Sequence, residues 1–240
     1  MPSPPLLKAP LLLFAAYCLY KSGKSPQPRP KDAEEAKFNK VEKKPSKWLF
    51  IVGAPVMRPL TVLIFTAEAV VVVAENYPSL PQSQRILELL RGASHSNIYI
   101  SSTFLVGCSL LASGTYVRTM CYNYLGRFFT FELAVQDGHK LVTTGPYSVV
   151  RHPAYLAVIA VMAGVLLVQL GPGSWADCLG VWGSPTGQVC GVIWSGIWSI
   201  FATGILLRTS TEDKVLKEAF GEEWEAWAKR TPYKLLPGIF

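Results

Sequence analysis

HKLVTTGPYSVVRHPAYLAVIAVMAGVLLVQL, from His139 to Leu170, joins a short polar segment to a long apolar run. The part from His139 to Tyr155 holds a Gly145-Pro146 turn signal, two of the chain's three histidines, an arginine and two tyrosines. Proline suits the first position of a helix, where its missing N–H has no intrahelical partner. Pro153 therefore predicts a helix running through Tyr155 to Leu170, with Arg151 and His152 at its cap. Free backbone N–H groups at the positive end of that helix, beside a fixed cation and an imidazole, would suit a carboxylate or phosphate. The plainer reading is a juxtamembrane arginine that snorkels to lipid headgroups beside an interfacial aromatic. Arg-His-Pro taken alone favours the plainer reading.

Working outward, the composition is that of a membrane protein. Half of the residues are hydrophobic and 16% are charged, against about 25% charged in an ordinary soluble domain. A net charge of +7 raises the question of nucleic acid. The basic residues gather beside apolar spans, however, so orientation in a bilayer explains them better. Cys18, Cys108, Cys121, Cys178 and Cys190 show neither a CxxC pair nor metal-ligand spacing and read as small apolar fillers.

Toward the N-terminus, Pro5 to Tyr20 is apolar apart from Lys8. At slightly under the ~20 residues of a crossing, it fits a first span, a signal-type segment or an interfacial anchor, with a retained span preferred. Lys21 to Lys47 carries nine Lys or Arg against four acids, with four prolines, and reads as a solvated cytosolic linker. Trp48 to Asn76 is apolar but broken by Gly53, Pro55 and Pro59, which predicts a two-part element with its span from Leu60 to Ala74. Glu68 in that span is expected to face the interior and meet a polar partner. Tyr77 to Asn97 reads as a far-side loop, with His95 at its surface. Ile98 to Val117 is the next span, rich in small residues that permit close helix approach, with Arg118 just beyond it. Ala154–Leu170 and Gly187–Leu207 complete about five spans, which puts the 118–153 loop and the 208–240 tail on one cytosolic face. Residues 1–47, 48–117 and 118–240 are the expected divisions: apolar segment and linker, N-terminal membrane helices, and a C-terminal region that carries the chemistry.

Arg208 and Glu212 are one helical turn apart and so share a face as the chain leaves the last span. An ordinary surface ion pair would have that spacing too. Asp213 to Arg230 is amphipathic, with Leu216, Phe220, Trp224 and Trp227 on one face and an interruption at Gly221.

Three spaced motifs now occur in order: His139-x-Leu141-Val142-x-x-Gly145-x-Tyr147, then Arg151-His152-Pro153-x-Tyr155, then Arg208, Glu212 and Phe220-Gly221. Together they closely resemble the isoprenylcysteine carboxyl methyltransferase family, over roughly Leu125 to Phe240. The resemblance implies an all-α, polytopic membrane helical bundle in the endoplasmic reticulum membrane, with a cytosolic C-terminus and S-adenosyl-L-methionine as cofactor. It carries cofactor contacts onto His139, Lys140, Leu141, Val142, Tyr147, His152, Pro153, Ala154, Tyr155 and Glu212. The family's glutamine falls on Gln136 with a shortened spacing, while Glu132 occupies the gap-free position. Arg208 matches the substrate-binding arginine, whose fork suits a C-terminal carboxylate. The implied substrates are prenylated, CaaX-processed proteins, with the lipid bilayer as a further partner and neither metal nor nucleic acid. Since a prenylcysteine carboxyl is already an anion near neutral pH, no proton-transfer residue is assigned. No strand–GxGxxG–helix fingerprint is present, which argues against a soluble-type methyltransferase fold.

Two other readings remain open. A phospholipid or small-lipid N-methyltransferase would act on an amine, which must lose a proton and gains nothing from an arginine clamp. A non-catalytic lipid-binding relative, or a sterol reductase, is the alternative of a different class.

Overall fold

The computed structural model describes residues 5–28, 53–91, 97–131 and 138–239. His95, Glu132, Gln136 and most of the basic linker lie outside them. Among the described residues the chain is helical and has no strand. The helices are α1 (Lys8–Ser22), α2 (Ala54–Asn76), α3 (Pro81–Leu90), α4 (Ser102–Leu125), α5 (Pro153–Leu170), α6 (Pro185–Phe220) and α7 (Glu222–Arg230). Short turns lie between them, among them Gly126–Phe128, Gly145–Ser148 and Trp175–Cys178.

Among the described residues four helices, α2, α4, α5 and α6, are long and apolar enough to cross a membrane. The expected first span is the 15-residue α1. At ~1.5 Å per residue it is shorter than the ~30 Å hydrocarbon layer. Large apolar side chains such as Leu63, Val106, Val192 and Leu207 point outward along the crossing helices, as lipid contact requires.

Several boundaries differ from the expectation. Of the 48–76 region the described part, residues 53–76, holds one helix, α2, with Pro59 inside it, while residues 48–52 lie outside the described residues. Pro59 is the sixth helical residue, so it removes one hydrogen bond near an end. The apolar run beyond it has no alternative to the helix in lipid. The far-side loop contains α3. The third span starts at Ser102 and continues to Leu125, so Arg118 lies within the helix instead of after it. The helix that carries the last span continues past Leu207, as the shared face of Arg208 and Glu212 requires, and α6 runs unbroken to Phe220. The break foreseen at Gly221 is present, with φ +51°, and α7 follows.

The chain forms two compact units. Unit 1 comprises residues 1–21, 56–112 and 160–200. Its core includes Leu12, Phe65, Val72, Phe104, Leu111 and Val165, all fully or almost fully buried. Gly107 of α4 and Gly164 of α5 bring their backbones together, because a Cβ on Gly164 would stand 2.7 Å from the Gly107 carbonyl oxygen. Lys8 of α1 is fully buried and its Nζ lies 2.7 Å from Glu68 Oε1 of α2. The same ammonium donates to the Gly173 carbonyl at 2.7 Å and lies over the Phe104 ring. Glu68 therefore faces inward to a polar partner, as its place in an apolar run suggests.

Unit 2 comprises residues 22–55, 113–159 and 201–240. Its core is a cluster of Cys121, Tyr122, Phe129, Tyr147, Ala154 and Trp227, flanked by Leu125, Phe131, Leu141, Val142 and Trp224. Gly145 has φ +60°, and a Cβ there would fall 2.3 Å from the Tyr124 ring. Glycine is therefore required on both backbone and steric grounds.

Candidate active site

The start of α5 lies in unit 2 as the sequence predicts: Pro153 opens the helix, and the His152 carbonyl accepts from the Tyr155 and Leu156 amides. The expectation of free N–H groups at this cap is corrected. The Arg151 amide donates to the Tyr233 carbonyl at 2.9 Å and the His152 amide to the Lys234 carbonyl at 2.8 Å. Arg151 binds the same tail through its side chain, donating to the carbonyls of Thr231 at 3.0 Å and Pro232 at 2.7 Å. Chain carbonyls thus occupy the donors that an anion would have used, and Arg151 fastens the tail.

Charge concentrates one step away. The buried His152 ring sets Nε2 3.0 Å from Asp213 Oδ1 and Nδ1 3.9 Å from Glu212 Oε1. The Tyr155 hydroxyl donates to Glu212 Oε2, and the two rings stack with centroids 5.6 Å apart. Asp213 is approached by Arg151 Nη2 at 3.4 Å and Lys234 Nζ at 3.9 Å as well. Three of the expected contact residues, His152, Tyr155 and Glu212, are therefore brought together from segments more than fifty residues apart in sequence.

The 138–147 segment adds a second edge. His139 stacks on Phe128, with centroids 4.5 Å apart and planes 10° from parallel, and meets the Phe220 ring edge at 5.6 Å. Its Nδ1 is buried without a hydrogen-bond partner. Burial holds the imidazole below its ordinary pKa; Glu212 opposes that shift and Arg127 adds to it. Leu141 and Val142 pack against the aromatic cluster. Tyr147 is buried in it, and burial pushes its phenol well above the ordinary value. The Tyr147 carbonyl accepts from Trp227 Nε1 at 3.0 Å, which ties α7 to this segment. Pro153 and Ala154 are buried, whereas Lys140 is exposed and not drawn into the cluster. Gln136 lies outside the described residues.

Arg208 is almost fully buried on α6, and its Nη2 donates to the Phe131 carbonyl at 2.5 Å. Four residues further along the same helix is Glu212, so the shared face survives, although the helix does not end between them. Two participants escape sequence reasoning. Asp213 reads there only as the start of an amphipathic segment, although its adjacency to Glu212 was a usable signal. Arg118, read as juxtamembrane, is buried and donates to the carbonyls of Ser22 at 2.6 Å and Ala154 at 2.9 Å, and to the Tyr122 hydroxyl at 2.7 Å. Its guanidinium lies over the Phe129 and Phe131 rings. Among the described residues no group of three His, Cys, Asp or Glu side chains is placed to hold a metal ion.

Membrane-crossing helices whose ends assemble a histidine, two carboxylates and a buried arginine under a folded-back tail define a class of integral membrane protein with a polar site in its cap region. Residues 105–174 match the isoprenylcysteine carboxyl methyltransferase (ICMT) family. The chain is 30% identical over 122 residues to protein-S-isoprenylcysteine O-methyltransferase of Saccharomyces cerevisiae, covering 50% of this chain and 43% of the relative. Protein-S-isoprenylcysteine O-methyltransferase B of Arabidopsis thaliana is 27% identical over 128 residues, 52% of this chain and 55% of the relative. The Dictyostelium discoideum protein of the same activity is 26% identical over 140 residues, 58% and 51% respectively. The chain thus spans about half the length of the curated relatives it matches. No solved structure matches it.

Proposed function

We propose that the chain is a multi-pass membrane methyltransferase that uses S-adenosyl-L-methionine to esterify the C-terminal carboxylate of prenylated cysteine on CaaX-processed proteins. Its location would be the endoplasmic reticulum membrane, with the C-terminal tail in the cytosol. Working back from a cytosolic tail through four crossings puts residues before α2 in the cytosol, which agrees with the basic 21–47 segment.

The observation that carries the reading is the convergence of His152, Tyr155 and Glu212, one helical turn from the buried cation of Arg208. The residues suit the cofactor. Glu212 offers a carboxylate to an ammonium, His139 keeps a buried nitrogen without a partner, and Leu141 and Val142 offer apolar surface to a heterocycle. Gln136, Lys140, Tyr147, Pro153 and Ala154 complete the proposed contacts. When bound, the cofactor supplies a methyl group on a sulfonium. Arg208 would hold the acceptor carboxylate with a charge that no physiological pH removes. Because that carboxyl, with a pKa of about 3.5, is already ionised, the site's tasks are to strip water from the anion and align it.

The test is transfer of radiolabelled methyl from S-adenosylmethionine to N-acetyl-farnesylcysteine in membranes containing the chain, beside Arg208→Ala and a phosphatidylethanolamine control. Base-labile label on the prenylcysteine, lost in the variant, is expected. Label confined to phospholipid, or none with normal expression and insertion, overturns the reading.

A further inference from the structure

Asp213 is the least obvious member of the cluster, and the geometry around His152 gives it a specific task. An ionised carboxylate only accepts hydrogen bonds, so the 3.0 Å contact between Asp213 Oδ1 and His152 Nε2 puts a proton on Nε2. The other ring nitrogen faces Glu212 Oε1 at 3.9 Å, too far for a direct hydrogen bond. A proton on Nδ1 would meet Glu212 only at the outer limit of an ion pair, with no hydrogen bond formed. Without one, Nδ1 presents a lone pair beside a carboxylate. Two acceptors then converge, and such a pair asks for a ligand that carries several N–H donors on one atom. The Tyr155 hydroxyl occupies the far oxygen of Glu212 and its ring stacks on the imidazole, so the orientation of both groups is fixed.

We propose that Asp213 is a positioning residue: it holds His152 as the Nε2–H tautomer, so that Nδ1 and Glu212 together accept from the ammonium of the methyl donor's amino-acid head. The proposal rests on the function argued above. Arg151 and Lys234 approach Asp213 from the α5 cap and the tail and so couple the tautomer to the folded-back tail. With Glu212 and Tyr155, these are the charged and titratable groups that face the pair.

Binding of S-adenosylhomocysteine and of methylthioadenosine, which lacks the amino-acid head, separates positioning from general support. Calorimetry on the full chain in detergent should show S-adenosylhomocysteine binding weakened about tenfold or more in Asp213→Asn. Methylthioadenosine binding should stay within about twofold, and Asp213→Glu should restore most of the loss. Equal weakening of both ligands, or no change in either, overturns the proposal. If the wild-type chain binds S-adenosylhomocysteine but methylates no prenylcysteine, the function fails while the role of Asp213 stands; if it binds neither ligand, both fail. The nitrogen-15 histidine spectrum reads the tautomer directly, with only three histidines to assign. A doubly protonated His152 at neutral pH would overturn the proposal without any ligand.

Discussion

The Lys8–Glu68 pair of unit 1 and the His152–Glu212–Asp213 cluster of unit 2 both place carboxylates among buried groups, but they are satisfied differently. In unit 1 one ammonium meets one carboxylate at 2.7 Å, and its remaining donors reach a carbonyl and an aromatic face. The charges match one to one, and both side chains are buried. In unit 2 Asp213 is crowded by His152, Arg151 and Lys234, while Glu212 is more open, with 28% of its side chain exposed, and receives only the Tyr155 hydroxyl at hydrogen-bond distance. A sealed pair fixes helices to each other; a cluster with one carboxylate open to solvent can meet a ligand. Burial separates the two: the Lys8 and Glu68 side chains are sealed from solvent, whereas Glu212 is partly open.

The sharpest way to break the comparison is to remove one partner of the closed pair. Glu68→Gln leaves the Lys8 ammonium without a counter-charge in an apolar interior and should cost about 3–5 kcal/mol. Thermal unfolding in detergent should show it as a large drop in midpoint. The double change Lys8→Met with Glu68→Leu should recover most of that loss, because apolar replacement of both partners removes the uncompensated charge. Methyl transfer per folded molecule should be unaffected in the double variant. Loss of transfer there would mean that this pair is more than a fastening.

Next in size is Arg208→Ala, which strips the cation proposed for the acceptor. Loss of a charge-assisted contact in a buried site is worth about 2–4 kcal/mol, so kcat/KM for prenylcysteine should fall roughly 30- to 1,000-fold. S-adenosylhomocysteine binding should change little. Arg208→Lys should fall between, since it keeps the charge but not the fork. A defect confined to cofactor binding would instead move Arg208 to the other side of the site.

A smaller effect tests the scaffold of the open cluster. Gly145→Ala forces a left-handed backbone onto an L-residue, at about 1–2 kcal/mol, and drives its Cβ into the Tyr124 ring. The turn before Tyr147 should loosen, which would raise KM for the cofactor and lower the unfolding midpoint modestly. An unchanged KM would show that the cluster does not depend on this turn.

The sequence shows the open cluster more clearly than the closed pair, and the reason is physical. Pro153 at N1, the break at Gly221 and the one-turn spacing of Arg208 and Glu212 are local signals, and each reappears in the structure. The inward turn of Glu68 was legible because a carboxylate in an apolar run needs a partner. Its partner, Lys8, was not, because nothing local links residues sixty positions apart. The tail carbonyls that close the α5 cap escaped notice for the same reason: backbone acceptors carry no residue signature. Arg118 reads as following its span because hydropathy ends a span at the first cation, whereas hydrogen bonds from its guanidinium to the carbonyls of Ser22 and Ala154 let the helix continue past it. The alignment of Gln136 or Glu132 with the family's glutamine falls outside the described residues.

The finest way to sharpen the comparison is by pH, because it reads titration at the edge of the open cluster. Burial is the main reason why His139 is held below its ordinary pKa, despite the opposing pull of Glu212. The unfolded chain therefore binds a proton more readily than the folded one. Well above the unfolded pKa of about 6.5 both states are neutral at this ring and it contributes no pH dependence. As pH falls through the unfolded value toward the lower folded one, the unfolded state gains protons first and stability declines. Acidification from about pH 7.5 to about pH 5.5 should thus lower the unfolding midpoint, and His139→Asn should lose that part of the decline while keeping the rest. The Glu68→Leu, Lys8→Met variant should keep the full His139 contribution, because that pair lies in the other unit. If His139→Asn declines with acid as steeply as the wild type, the ring is not kept neutral by its surroundings. Its unpartnered Nδ1 would then be no sign of a site waiting for a ligand.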